Sequence, residues 1–174
     1  KKDVLWLSAF NNVTKERGAY RKGINDSKAP ELVIMAPFTY SNLVKAKNAD
    51  ISVERLTLDV TVSSTNGTEN PSTLINSISV KDGSTVLATI PVNSSTFSKY
   101  SGTSNYYVQI SGLSTKVSKD TIKTLTVYFN TNSIDTERTV VVNVNTNGAR
   151  VVDGRGISTY NGSSITPRTH VFKK

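Results

Sequence analysis

The chain predicts an all-β fold, an antiparallel β-sandwich, and three observations carry that prediction. Apolar residues alternate with polar ones over several short runs, turn residues recur every ten or so positions, and no segment sustains a helical period. Hydrophobic residues make up only 36% of the 174 residues. A sheet needs apolar side chains at alternate positions only, so this supply suffices for a sandwich and falls short for a helix bundle.

The longest run, Ile51 to Val62, contains a change of phase. Ile51 and Val53 lie on one phase, and Leu56, Leu58, Val60 and Val62 on the other, with Glu54 and Arg55 between them. An uncorrected slip would turn the dry side outward, so a bulge is expected at 54–55. A loop follows at 63–72, rich in Gly, Asn and Pro. Asp82-Gly83 sits between Ile78/Val80 and Val86/Ala88/Ile90/Val92, a strong hairpin signal. Tyr106, Val108 and Ile110 form a strand expected to close at Gly112. Leu125, Val127 and Phe129 form another, followed by Val140, Val142 and Val144. In the tail, Val151-Val152, Ile157 to Tyr160 and His170 to Phe172 read as a late hairpin or an extended arm. Residues 14–28, interrupted by Gly18 and Gly23, read as a loop with at most one helical turn.

Net charge is +8 and unevenly placed. Residues 1–28 hold seven Lys/Arg against three acids, residues 148–174 hold five against one, and the middle holds nine of each. A neutral body with two basic ends suggests an acidic partner, with solubility as the bland alternative. Cysteine is absent, which excludes disulfides, thiolate metal sites and a cysteine nucleophile. The longest apolar stretch, Leu32 to Met35, is far too short to span a membrane. The chain opens Lys1-Lys2 with no Met, as a processed or trimmed product would.

Three passages resemble the immunoglobulin-like modules of bacterial surface proteins and some phage structural proteins. They are Asn48 to Val53, Ile78 to Leu87, and Ser118 to Thr121 with Leu125-Thr126-Val127. In such modules the first opens a strand, the second is the central hairpin, and the third is a loop before a late strand. The resemblance implies an immunoglobulin-like sandwich over residues 41–147. An N-terminal arm and first strand would then occupy 1–40, and a C-terminal β extension 148–174. It specifies a fold and leaves function open. Some cysteine-free surface sandwiches join Lys to Asn beside a buried acid, which would place Asn143 or Asn145 opposite an early-strand Lys.

Signals for catalysis are sparse. His170 is the single histidine, with no Gly-x-Ser-x-Gly turn to accompany it. No calcium-loop spacing occurs, leaving carbonyls and Asp side chains as the remaining route to a metal. Glu54 and Asp59 read as solvated charges rather than a glycosidase pair. The five Asn-x-Ser/Thr sequons carry little weight in so Asn-, Ser- and Thr-rich a chain. No cofactor or enzyme activity is expected.

Two patches remain. Tyr100, Tyr106 and Tyr107 surround the 101–104 loop and offer a platform for a ligand such as a carbohydrate, although strand alternation sends Tyr106 and Tyr107 to opposite faces. Val4, Leu5, Trp6, Leu7 and Phe10 form the most apolar part of the first 30 residues, ahead of a long polar stretch. Such a strand can complete a neighbour's sheet, or it can be an ordinary edge strand of its own domain. Together with Arg150, Arg155 and Phe172 these are the expected assembly contacts. The reading is a non-enzymatic structural subunit of an extracellular, cell-surface or virion assembly: a filament, surface layer or fibre. Copies of the chain would be its main partners, with an acidic surface polymer or carbohydrate as a second class. Nucleic acid is disfavoured for want of a reader motif. The alternatives are an adhesive or carbohydrate-binding module, and a phage decoration or tail-associated protein.

Overall fold

A computed structural model describes residues 4–10, 38–46, 49–161 and 169–172. Among them, twelve strands run in chain order: β1 (Val4–Phe10), β2 (Phe38–Ala46), β3 (Ile51–Ser64), β4 (Gly67–Glu69), β5 (Ile75–Asp82), β6 (Thr85–Pro91), β7 (Ser98–Lys99), β8 (Tyr106–Val117), β9 (Ile122–Thr131), β10 (Arg138–Asp153), β11 (Ser158–Asn161) and β12 (Thr169–Phe172). The strands pair antiparallel in two sheets. One is five-stranded, in the order β1-β2-β9-β5-β6. The other is seven-stranded along β11-β10-β3-β8-β7, with β4 added to β3 and β12 to β10. The chain is therefore an all-β antiparallel sandwich. The residues expected to be a loop at 14–28, and the Leu32 to Met35 stretch, lie outside the described residues.

The alternating runs supply the core. Leu56, Leu58, Val60 and Val62 of β3 are wholly buried, facing Ile78, Val80, Val127 and Phe129 of the other sheet in one continuous cluster. Ile51 and Val53 are buried too, although they stand on the opposite phase. The expected bulge reconciles the two. Register against β8 shifts between Val53 and Arg55, and against β10 between Arg150 and Val151. Both halves of β3 thereby face inward. The Asp82-Gly83 hairpin forms as well, with Gly83 at φ 58° between β5 and β6.

Other expectations need correction. The strand expected to close at Gly112 continues to Val117, burying Leu113, Thr115 and Val117. Positive φ at Gly112 and Ser114 lets β8 bend there instead of stopping. The loop expected at 63–72 holds β4, which folds back on β3, and a 3-10 turn at Pro71–Thr73 whose cap, Asn70, accepts from Ser72 N.

The boundary at 147/148 falls inside β10, which runs unbroken from Arg138 to Asp153. The tail pieces are strands of the same sheet. β11 pairs with Ala149–Val152, and β12 with Arg138–Val141. The physical reason is length: β3 covers one edge of β10 nearly end to end, and the other edge is long enough to take both late strands.

Candidate functional site

The most organised polar group lies on the outward face of the seven-stranded sheet. Strand alternation puts Asp59 of β3 outward between buried Leu58 and Val60, directly opposite Tyr107 of β8 and Asn143 of β10. Tyr100 reaches this row from the loop before β8. Tyr100 N donates to Asn105 O at 2.9 Å and Thr103 N donates back to Tyr100 O at 3.1 Å, turning the chain through Gly102. The Tyr100 ring then lies 4.6 Å from that of Tyr107, tilted by 36°. Its hydroxyl donates to Asp59 Oδ1 at 2.6 Å, while Asn145 Nδ2 donates to the same oxygen at 3.2 Å and also to the Tyr100 hydroxyl.

Asn145 owes its place to a second irregularity. Register between β10 and β3 shifts between Val144 and Ala149, so residues 145–148 bulge opposite Thr57. Gly148 closes this bulge, and a Cβ there would stand 2.7 Å from the carbonyls of both Asn145 and Thr57.

The sequence expectations fall out unevenly. Tyr100 and Tyr107 meet on one face, whereas Tyr106 turns inward and packs, half-buried, against the core. Asp59, expected to be a solvated charge, is half-buried and holds two donors. The Asn145 amide, weighed for a Lys cross-link, is engaged by Asp59 and Tyr100. Of the expected assembly residues, Phe172 is only 1% exposed and belongs to the chain's own core. Val4, Leu5, Trp6, Leu7 and Phe10 form edge strand β1, paired with β2 from Val4 opposite Ala46 to Phe10 opposite Ser41. Arg155 closes a turn on Asp153, and Arg150 stands on the outward face of β10.

Burial first, then the carboxylate of Asp59, raises the Tyr100 phenol above its ordinary value of 10.0. The folded chain therefore holds this proton more tightly than the unfolded chain. The resulting stability is intact below pH 10.0 and is lost as pH climbs from there toward the raised folded value. Tyr100→Phe should lower stability by about 1 kcal/mol at neutral pH, because Asp59 and Asn145 lose a shared partner in a half-exposed setting. It should also flatten the alkaline fall in stability. Urea titrations followed by circular dichroism on either side of pH 10.0 would check both effects.

A shallow cavity at one end of the same sheet is lined by Asp50, Ile51, Ser52, Lys116, Val152, Asp153 and Gly154. Its carboxylates are engaged. Lys116 Nζ lies 2.8 Å from Asp50, and Asp153 accepts from the backbone of Arg155 and Ile157 and from the Arg155 guanidinium. Among the described residues, no three of His, Cys, Asp and Glu gather as a metal site would require. The Tyr100 cluster can accept and donate hydrogen bonds beside aromatic rings, which suits recognition of a hydroxylated ligand.

No family model and no curated protein matches the sequence. Solved structures do match in shape. The collagen-binding domain of a Staphylococcus aureus adhesin is 10% identical, with 98% of each chain covered and a TM-score of 0.35. The major pilin of Corynebacterium diphtheriae is 18% identical over 80% of this chain and 31% of that one, with a TM-score of 0.29. AvmM, which catalyses a macrocyclization in alchivemycin A biosynthesis, is 6% identical over 99% and 89%, with a TM-score of 0.42. At these values the likeness carries no argument about activity. The chain is an all-β antiparallel sandwich, and domains of a surface adhesin and of a pilin are among those it is similar to.

Proposed function

We propose that this chain is a non-enzymatic structural subunit of an extracellular, cell-surface or virion assembly, and that copies join by exchanging β1. The observation that carries this reading is the position of β1. It is the edge strand of its sheet, paired with β2 and lying against β10 and β11 of the other sheet, and 27 residues (11–37) join β1 to β2. A connection of that length reaches at most roughly 90 Å when fully extended, more than the span between adjacent subunits of this size. The same main-chain pairing that seats β1 on its own β2 would seat it on a neighbour's, giving an open, head-to-tail interface.

Deleting residues 1–10 should leave the sandwich folded and reduce assembled material to single subunits, read by size-exclusion chromatography and electron microscopy. A synthetic peptide of residues 1–12 should then occupy the vacated edge and raise the melting temperature. Undiminished assembly by the truncated chain would overturn the proposal.

The second reading, an adhesive module, is favoured by the Tyr100–Tyr107–Asp59–Asn145 cluster, whose stacked rings and hydrogen-bonding groups share one outward face. It calls for binding by single subunits, which the same truncated chain would retain.

A further inference from the structure

We infer that the outward face of the seven-stranded sheet carries an oxyanion site built by Arg55, Arg150 and Tyr160, suited to the sulfate or carboxylate groups of an acidic polysaccharide. The inference extends the adhesive reading by naming a ligand class and is independent of strand exchange.

The placement follows from register. Arg55 on β3 stands directly opposite Arg150 on β10, and Arg150 directly opposite Tyr160 on β11. The neighbours Leu56, Ala149 and Val151 are buried, so the row faces outward. Like charges directly opposite on adjacent strands repel, and a sheet gains nothing from such a pair on its own.

Among the described residues of these two strands, no carboxylate is free to balance it. β3 and β10 together carry three acids, and each is engaged elsewhere. Glu54 accepts from Ser52 and Ser114, Asp59 from Tyr100 and Asn145, and Asp153 from the Arg155–Ile157 turn. Arg150 donates to Ser158 Oγ at 3.1 Å. The Arg55 guanidinium lies over the Tyr160 ring, 5.7 Å from its centroid, and its Nε is buried with no hydrogen-bond partner. The terminal N–H groups of the two arginines, side by side, form a fork for a bidentate oxyanion. Ligand binding would offset the repulsion.

Tyr160 favours a polysaccharide as the carrier of that anion. The residue is 49% exposed and its ring flanks the arginines, offering an apolar face to a sugar ring. On the same face, Asp59 lies four residues along β3 from Arg55, roughly 13 Å away. A chain of sugars lying across the sheet would meet charge at one end and the Tyr100 cluster at the other.

The test compares the wild-type chain with the double variant Arg55→Lys/Arg150→Lys, which keeps the net charge and the aliphatic stems but removes both guanidinium forks. Binding to dextran sulfate and to polygalacturonate is measured by calorimetry, with neutral dextran as blank and circular dichroism confirming the fold. Lys81→Ala/Lys123→Ala serves as a second variant that lowers net charge on the other sheet. The expected result is a loss of about tenfold or more in affinity for the preferred polymer in the arginine variant. The Lys81/Lys123 variant should bind close to wild type. The two polymers report whether sulfate or carboxylate is preferred. Equal affinity of the arginine variant and wild type, a larger loss in the Lys81/Lys123 variant, or binding to neither polymer would each overturn the inference. Strand exchange is read separately, by assembly of the same arginine variant.

Discussion

Gly148→Ala should destabilise the protein by about 2–4 kcal/mol, among the largest effects expected of so small a change. The added methyl would stand 2.7 Å from two main-chain oxygens, Asn145 O and Thr57 O. Neither is the end of a flexible side chain. Relief requires moving the bulge at 145–148 or parting β10 from β3, whose pairing runs nearly the whole length of both strands. Gly154→Ala is the matched control, since a Cβ there meets nothing within 4 Å. Urea midpoints should separate the two variants clearly, and equal midpoints would show that the bulge yields without cost. Because the bulge also presents Asn145, Gly148→Ala should loosen the Tyr100–Asp59 cluster.

Phe172→Ala should cost about 3–5 kcal/mol. Phe172 is among the largest fully buried side chains, although it belongs to the four-residue strand β12. It pairs opposite Arg138, at the start of β10. Truncation would leave a cavity between the sheets and unpin β12, so the loss appears in the unfolding free energy of single subunits. Phe172→Leu should recover most of it. Had Phe172 been an assembly contact, as its place in a basic tail suggests, its removal would weaken association while leaving subunit stability untouched. Denaturant unfolding under dissociating conditions distinguishes the two.

Much of the fold is legible in the residues. Alternation in Leu56, Leu58, Val60 and Val62 marks the dry face of β3, and the two polar residues at 54–55 mark its bulge. Asp82-Gly83 marks a hairpin because few sequences accept that turn. The end of β8 was hidden by Gly112, since glycine at positive φ serves a bend within a strand as well as a stop. The tail reads as separate because its strands are short and glycine-spaced. Their membership of the sheet is set by the length of β10, which no local pattern in the tail reveals.

The outward-facing groups were harder still. Alternation shows that Asp59, Asn145, Arg55, Arg150 and Tyr160 are polar or exposed. Which of them meet depends on the pairing of β3 with β8 and β10, and on the two irregularities that set its register. Tyr100 and Tyr107 are close in sequence and could be grouped by eye. Arg55 and Arg150 come together only through long-range register.

That long-range pairing also sets a timetable. Ile51 lies opposite Asp153 and Val62 opposite Val140, so the central ladder joins residues 51–63 to residues 139–153. During synthesis β3 would wait, with its apolar side uncovered, until β10 emerged. Chain closure over such distances is slow, and the waiting intermediate is the form most open to capture by a chaperone. The sandwich can therefore close only once nearly the whole of this sequence is available to it.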